Sequence, residues 1–230
     1  MTWHLSRTLI PRCDVEPQSE IWEAAYRRFE TQDEEIAKFV RRLRLLGADA
    51  WPRSARVVEL FCGRGNGMLA LSQLGFTDLA GIDTSPTLTA LYRGPGEAVV
   101  GDCRALPWPD ASKDILIAQG GLHHLPELPG DLDRVLAEAR RVLRPGGRLV
   151  VVEPWLTPFL QFVHFTSFSW FRRFSKRLDA FATMTEHEYH TYENWLLSPA
   201  LVSSLFDHHF RAEHRSTSFG KLRFVGIVKP

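Results

Sequence analysis

The sequence has few of the features that would place it outside ordinary globular proteins. Three cysteines among 230 residues, at positions 13, 62 and 103, are an odd and scattered set without metal-ligand spacing, which suits a reduced cytosolic compartment. The formal net charge of +1 argues against an extended nucleic-acid interface, which would need a strongly basic face. Internal repeats and low-complexity tracts are also missing. We therefore expect no structural metal and no nucleic-acid partner.

Long apolar runs are absent as well. The first residues, MTWHLSRTLIPRC, contain no apolar core of signal-peptide length. Pro158, Gln161, His164 and the pair Arg172-Arg173 interrupt the aromatic stretch after residue 155, so it does not predict a membrane span. We expect a cytoplasmic protein with at most peripheral membrane contact. A length of 230 residues predicts a single domain over 1–230.

A glycine-rich turn follows the first predicted strand. The β-branched and apolar run at 57–61 is typical of a strand buried on both faces, and Gly63, Gly65 and Gly67 come directly after it. A helical apolar pattern begins at Met68. Glycines between a parallel strand and a helix let a ligand approach the backbone, and the helix N-terminus offers unpaired N–H groups. The turn therefore predicts a nucleotide site.

The spacing of the glycines and the next acid define which nucleotides are candidates. A dinucleotide fingerprint starting at Gly63 needs a third glycine at position 68, which is Met68 here. Asp83 lies 20 residues beyond Gly63, at the predicted end of the second strand, where a carboxylate can accept hydrogen bonds from two ribose hydroxyls. Ser85 and Pro86 then open a helix predicted to reach Leu91, as N-cap and first residue.

Three segments together resemble class I S-adenosylmethionine-dependent methyltransferases. They are the motif E-x-F-C-G-x-G-x-G from Glu59, the GDCRALPWPD segment after the third strand, and the passage from QGGLHHL to RPGGRLVVVEP. The last passage is similar to the small-molecule branch, which includes quinone and sterol methyltransferases. The resemblance implies an α/β fold: a Rossmann-like, seven-stranded, mostly parallel sheet with an antiparallel C-terminal hairpin and helices on both faces.

The resemblance also implies a cofactor, S-adenosylmethionine, with S-adenosylhomocysteine as product. Asp102 would accept from the adenine amino group, the N–H of Cys103 would donate to a ring nitrogen, and Leu88 would lie against the adenine face. The full set of expected cofactor residues is Glu59, Gly63, Gly65, Asp83, Thr84, Leu88, Asp102, Cys103 and Gln119.

Four segments divide the expected domain. N-terminal helices at 19–47 would form a lid, 54–154 the cofactor-binding core, 155–192 a helical cap insertion after the fifth strand, and 193–230 the last helix and hairpin. Segment 155–192 is rich in aromatic residues, and Trp22 and Tyr26 lie in the lid. We expect both segments to roof the acceptor pocket. A hydrophobic or aromatic small molecule is the expected acceptor.

Two histidines are the candidate catalytic residues. His123 and His124 follow the fourth strand, at the carboxyl edge of the sheet where ligands of open parallel sheets bind. Either could act as a general base for an oxygen, nitrogen or activated-carbon acceptor, with His164, Glu153 and His187 as further candidates. His187 and His190 are too few to predict a metal site.

Two other functions remain open at this stage. A methyltransferase-like fold can serve as a cofactor-binding or regulatory module, and intact binding motifs do not exclude it. An NAD(P)-dependent oxidoreductase is disfavoured by Met68 and Asp102.

Overall fold

The computed structural model describes residues 30–167, 176–187 and 189–229. Within them, seven strands form one sheet in the order β3-β2-β1-β4-β5-β7-β6. Strands β1 to β5 are parallel, whereas β7 pairs antiparallel with β5 and β6. The predicted Rossmann-like sheet with its terminal hairpin is confirmed. The strands are β1 Val57–Leu60, β2 Leu79–Asp83, β3 Glu97–Val100, β4 Lys113–Gln119, β5 Leu143–Pro154, β6 Phe210–Ser218 and β7 Lys221–Val228.

Helices cover both faces of this sheet. Helices α1 and α2 share one hydrophobic core with Ile117 and Val150, while α4, α7 and α8 share the other with Leu116 and Val151. Because both faces are covered, the central strands are continuous apolar runs. The helices are α1 Gln32–Leu45, α2 Asn66–Gln73, α3 Pro86–Thr89, α4 Gly130–Val142, α5 Pro158–Ser167, α6 Lys176–His187, α7 Tyr189–Leu197 and α8 Pro199–His209.

Helix α1 begins at a capping box. The backbone N–H of Glu34 donates to the Thr31 hydroxyl at 3.3 Å, and the Glu34 carboxylate accepts from the Thr31 N–H at 3.0 Å. Gly47, at φ 91°, follows the end of the helix. Residues 19–29, which carry Trp22 and Tyr26, lie outside the described residues, so the N-terminal lid stays a prediction.

The end of helix α3 differs from the prediction. Helix α3 stops at Thr89 rather than Leu91, because the following N–H groups bond three residues back: that of Leu91 donates to the Leu88 carbonyl at 3.0 Å and that of Tyr92 to the Thr89 carbonyl at 3.1 Å. Ser85 does cap α3, accepting from the N–H of Leu88 at 3.2 Å. Helix α8 begins at Pro199, and the side chain of Ser198 before it makes no capping hydrogen bond.

The segment after β5 is helical where the structure describes it. Trp155 and Phe181 pack against the core, whereas Phe159, Phe162 and Phe165 of α5 are 49%, 63% and 68% exposed. The predicted roof aromatics therefore divide between the core and solvent, while those at 168–175 lie outside the described residues. Among the residues described, no helix has the length and apolar character to cross a membrane.

Candidate functional site

The glycine turn between β1 and α2 is shaped by a buried glutamate behind it. Glu59 is 4% exposed, and its carboxylate accepts the backbone N–H of Met68 at 2.9 Å. A Cβ at Gly67 would lie 1.6 Å from Glu59 Oε1, so only glycine leaves room for this side chain. Burial raises the pKa of Glu59 to about 8 against the opposing Met68 hydrogen bond. Glu59 therefore fixes the turn from behind.

Asp83 joins the end of β2 to the same turn. Its carboxylate accepts the N–H of Gly63 at 2.8 Å and the N–H of Ser85 at 2.9 Å. A carboxylate offers about four lone-pair sites, so capacity remains for two ribose hydroxyls. Leu88 lies close by, since a Cβ at Gly63 would be 3.9 Å from its Cδ1, and Thr84 is exposed beside Asp83. The structure thus brings these four predicted residues together.

Phe61 is an unexpected element of this turn. It takes φ 55°, a left-handed backbone conformation that is uncommon for a bulky residue. A Cβ at Gly121 would lie 2.3 Å from the Phe61 ring, so the ring closes on the turn after β4. The Phe61 ring therefore links the turn after β1 to the one after β4. Phe61 belongs to the first sequence motif, but the motif alone indicated no contact for its ring.

Asp102 has a partner that the sequence analysis missed. Arg104 donates to both carboxylate oxygens of Asp102, with the closest pair at 2.7 Å, and its second arm donates to Asp131 at 2.8 Å. Hydrogen bonds from Arg104 hold the pKa of Asp102 below its ordinary value despite partial burial. Asp102 is thus anionic and partly exposed. An adenine amino group that donates to its carboxylate would do so beside the guanidinium group of Arg104. In the sequence, only the separation of two positions between Asp102 and Arg104 could have indicated this ion pair.

Gln119 lies at the carboxyl end of β4 with an unsatisfied side chain. Its amide oxygen and nitrogen are both buried, and neither finds a hydrogen-bond partner among the described residues. Buried polar atoms without a partner are costly, so such an amide is a signature of a ligand-binding position. Its placement at the edge fits the prediction that Gln119 faces the ligands.

A three-residue turn after β4 is held by one buried carboxylate. Glu153, fully buried near the end of β5, accepts the backbone N–H groups of Gly121 at 2.9 Å and Leu122 at 2.8 Å. Its other oxygen lies 2.7 Å from Nδ1 of His123. Burial opposes ionisation, but the hydrogen bonds from His123, Leu122 and Gly121 outweigh it and keep the pKa of Glu153 below its ordinary value. Glu153 therefore orients His123 and is not an exposed base.

The two candidate histidines occupy different environments. His123 is 7% exposed and meets the edge of the Tyr192 ring, with centroids 5.7 Å apart. His124 is exposed, although its ring lies 4.1 Å from that of His123. His164, another candidate base, is buried with Nε2 3.1 Å from the Tyr192 hydroxyl, and burial lowers its pKa to about 4. Tyr192 thus connects the β4 turn to α5, a contact that the sequence did not reveal.

Cys62 and Cys103 are buried free thiols at the turns after β1 and β3. Burial raises the pKa of Cys103 to about 12 and that of Cys62 above its ordinary range. Within the described part of the chain, no cluster of three or more His, Cys, Asp or Glu could hold a metal ion. The side chain of His187 lies outside that part.

The amino-acid sequence of part of this chain is similar to those of known proteins. Residues 58–151 match a family described as a methyltransferase domain. Demethylmenaquinone methyltransferase of Thermus thermophilus is 32% identical over 133 residues, covering 50% of this chain and 59% of that protein. The 27-O-demethylrifamycin SV methyltransferase of Amycolatopsis mediterranei is 33% identical over 112 residues, covering 45% and 40%. The chain thus aligns with less than two thirds of the length of either relative.

Solved structures share the fold at low identity. A protein of Pyrococcus horikoshii OT3 superposes with a TM-score of 0.68 at 18% identity, covering 92% of this chain and 100% of that one. A SAM-dependent methyltransferase of Aquifex aeolicus gives 0.59 at 13% identity, covering 90% and 98%. Residues 58–151 are therefore similar in sequence to a methyltransferase domain, and the whole described chain shares its fold with solved structures that include S-adenosylmethionine-dependent methyltransferases.

The cofactor that this class implies fits the residues at the edge. Asp83 retains acceptor capacity beside a glycine turn, Asp102 is anionic, and the orphaned amide of Gln119 lies one strand away from the turn. S-adenosylmethionine offers ribose hydroxyls, an adenine edge and an amino-acid tail to these groups. The individual contacts remain predictions.

Proposed function

We propose that the protein transfers the methyl group of S-adenosylmethionine to a small hydrophobic or aromatic acceptor, with His123 as general base. One observation carries the proposal: the carboxyl edge of the sheet bears both the Asp83–Gly63 contact, at the ends of β2 and β1, and the Glu153–His123 pair, at the ends of β5 and β4. The Asp83–Gly63 contact suits the binding of a nucleoside, and the Glu153–His123 pair suits the removal of a proton beside that nucleoside.

Methyl transfer requires the protein mainly to align the acceptor with the methyl group and to remove one proton from the acceptor. The cofactor supplies an activated methyl group, so transfer is an in-line displacement that depends on orienting the acceptor and removing water. Glu153, whose pKa is lowered, lies 2.7 Å from Nδ1 of His123 and can accept a hydrogen from it, and a neutral imidazole in this tautomer has its lone pair on Nε2. That atom is suited to take a proton from an acceptor hydroxyl.

The acceptor class follows from the walls of this edge and from the relatives. Trp155 and Phe181 line the core near β5, and helices α5 to α7 follow directly, so we assign them to the acceptor roof. The relatives' names include demethylmenaquinone, phthiotriol dimycocerosate and sterol methyltransferases. Buried cysteine thiols suit the cytoplasm as the place of action.

Calorimetry followed by turnover tests the proposal. S-adenosylhomocysteine should bind saturably and NAD should not. With a panel of hydroquinones and phenols and labelled S-adenosylmethionine, His123→Gln should lower the rate constant about 10²- to 10⁴-fold without changing S-adenosylhomocysteine affinity.

His124→Gln is the matched control, because His124 is adjacent but exposed. Its rate should stay within a few-fold of the wild type. Equal losses in both variants would remove His123 as the base. Cofactor binding without any methyl transfer across the panel would favour the binding-module alternative.

A further inference from the structure

Two cations on helix α1 face the sheet beside Phe39. Lys38 Nζ and the Arg42 guanidinium lie 5.3 Å and 5.7 Å from the centroid of the Phe39 ring. Phe39 is 7% exposed and belongs to the core that contains Val152 and Val225. Lys38 and Arg42 are four residues apart, so they lie one above the other on this helix.

Two further cations lie opposite them on β7. Lys221 pairs in register with Pro154, and Arg223 pairs with Val152. Residues directly opposite in adjacent strands project to the same face, so Arg223 and Lys221 lie on the face of Val152, which α1 covers. We call Lys38, Arg42, Lys221 and Arg223 the basic cluster.

The nearby carboxylates leave this cluster with surplus positive charge. Glu30 pairs with Lys38, Glu35 accepts from Asn66 at 2.6 Å, and Glu153 is occupied by His123. Within the ranges that the structure describes, the side chains of Arg42 and Lys221 form no hydrogen bond or ion pair.

The surplus charge is unfavourable in the protein alone. Burial, followed by the charge of Arg42, lowers the pKa of Lys221 to about 8, although Glu153 opposes the effect. Burial also lowers the pKa of Arg42, with Glu30 opposing and Arg223 contributing. Partly buried like charges repel one another more strongly than exposed ones. An anion placed among them would relieve this repulsion.

The cluster lies on the acceptor side of the edge. Gln119 of β4, Val152 of β5 and Arg223 of β7 form one row across the sheet, and Lys221 is two residues closer to the carboxyl edge. The predicted cofactor contacts at Asp83 and Asp102 lie past β1, on the other side of β4. The cluster is therefore reached from the side where an acceptor would enter.

We propose that the basic cluster binds an anionic group, a carboxylate or a phosphate, of the methyl acceptor. The role as acceptor site rests on the proposed methyl-transfer function, whereas anion binding itself does not. The acceptor would combine an aromatic or apolar body with one negative group placed between α1 and β7. Arg42 and Lys221 would hold that group, and the amide of Gln119 would offer a neutral contact between it and the cofactor.

Binding of aromatic probes tests this assignment on the full chain. Benzoate and phenyl phosphate are titrated by NMR at constant ionic strength, with neutral benzamide as the matched probe, in the presence and absence of S-adenosylhomocysteine. At least one anion should bind about tenfold or more tightly than benzamide. Arg42→Gln and Lys221→Met should each weaken the anion about tenfold and leave benzamide unchanged.

Arg41→Gln is the control, because it removes one charge from the exposed side of the same helix. Anion affinity should be retained in it. Equal binding of anions and benzamide, no saturable anion binding, or equal losses in the control would overturn the proposal. Melting temperatures at or above that of the wild type establish that the variants are folded.

Two cofactor measurements separate the possible failures. If Lys221→Met weakens S-adenosylhomocysteine but not methylthioadenosine, which lacks the amino-acid tail, the cluster recognises the cofactor carboxylate and the proposal is wrong. If the anion binds selectively but S-adenosylhomocysteine does not bind at all, the methyltransferase function fails while the anion site stands.

Discussion

Replacing Glu59 by glutamine should stabilise the protein in a pH-dependent way. The side chain is buried behind the glycine turn, and its pKa rises from 4.5 to about 8 chiefly through burial, with Glu35 and Asp83 adding repulsion. Between these two pH values the folded protein binds a proton that the unfolded chain has lost. Stability of the wild type should therefore fall as pH rises from 4.5 to 8.

The magnitude follows from the pKa. Each pH unit in that interval corresponds to about 1.4 kcal/mol, so the carboxyl group removes up to about 3 kcal/mol at pH 7 and about 5 kcal/mol above pH 8. Glutamine does not titrate, and its carbonyl oxygen can still accept the Met68 N–H. Its NH₂ group adds a cost that is the same at every pH. The diagnostic is therefore the change of the stability difference with pH.

Chemical denaturation at pH 5, 7 and 9 measures this difference. The gain of Glu59→Gln over the wild type should grow by roughly 3 to 5 kcal/mol across the series, with the upper value an ionisation limit. Glu97→Gln on β3, an exposed carboxylate, should show little change. A stability difference that stays constant from pH 5 to pH 9 would refute a raised pKa for Glu59.

Three further predictions concern other residues. Lys221→Met should raise the free energy of unfolding at pH 7 by about 1 to 2 kcal/mol, because the partly buried ammonium group has a lowered pKa. This gain should disappear as pH rises from 8 to 10.5. If chemical denaturation at pH 10.5 still shows the gain, the lowered pKa of Lys221 is not its cause. Asp83→Ala should weaken S-adenosylhomocysteine by about 1.5 to 3 kcal/mol for each hydrogen bond lost, measured by calorimetry, and unchanged affinity would mean that the ribose lies elsewhere. Cys62 and Cys103 should be alkylated far more slowly in the native protein than in denaturant, and more slowly still with S-adenosylhomocysteine; rapid native labelling seen by mass spectrometry would show that the two turns open readily.

The central strands and glycine turn could be predicted because local signals agree there. The apolar run at 57–61, the glycines and the capping box at Thr31 each depend on residues a few positions apart. Proline at Pro86 and Pro199 likewise marks a helix start wherever the helix packs. Such signals fix where elements begin, and the parallel sheet follows from strands alternating with helices.

The site chemistry was harder to predict because its partners are far apart in sequence. Glu153 lies 30 residues from His123, and its role as an orienting group depends on burial that no motif encodes. Arg104 takes up the Asp102 carboxylate and also reaches Asp131, 27 positions away. Charge pairs of this kind are set by tertiary packing, so the sequence indicated the residue types but not their partners.

The position of β7 has a consequence for folding during synthesis. It is the last strand of the described chain, yet it lies inside the sheet between β5 and β6, with Phe224 fully buried. Until it arrives, β5 presents an unpaired edge from Arg148 to Pro154. Pro154 and Val228 are 74 positions apart. At a synthesis rate of roughly 5 to 20 residues per second, the edge of β5 therefore stays unpaired for about 4 to 15 s. An apolar edge exposed for seconds can pair with other chains, so nascent molecules are most prone to aggregation in this interval.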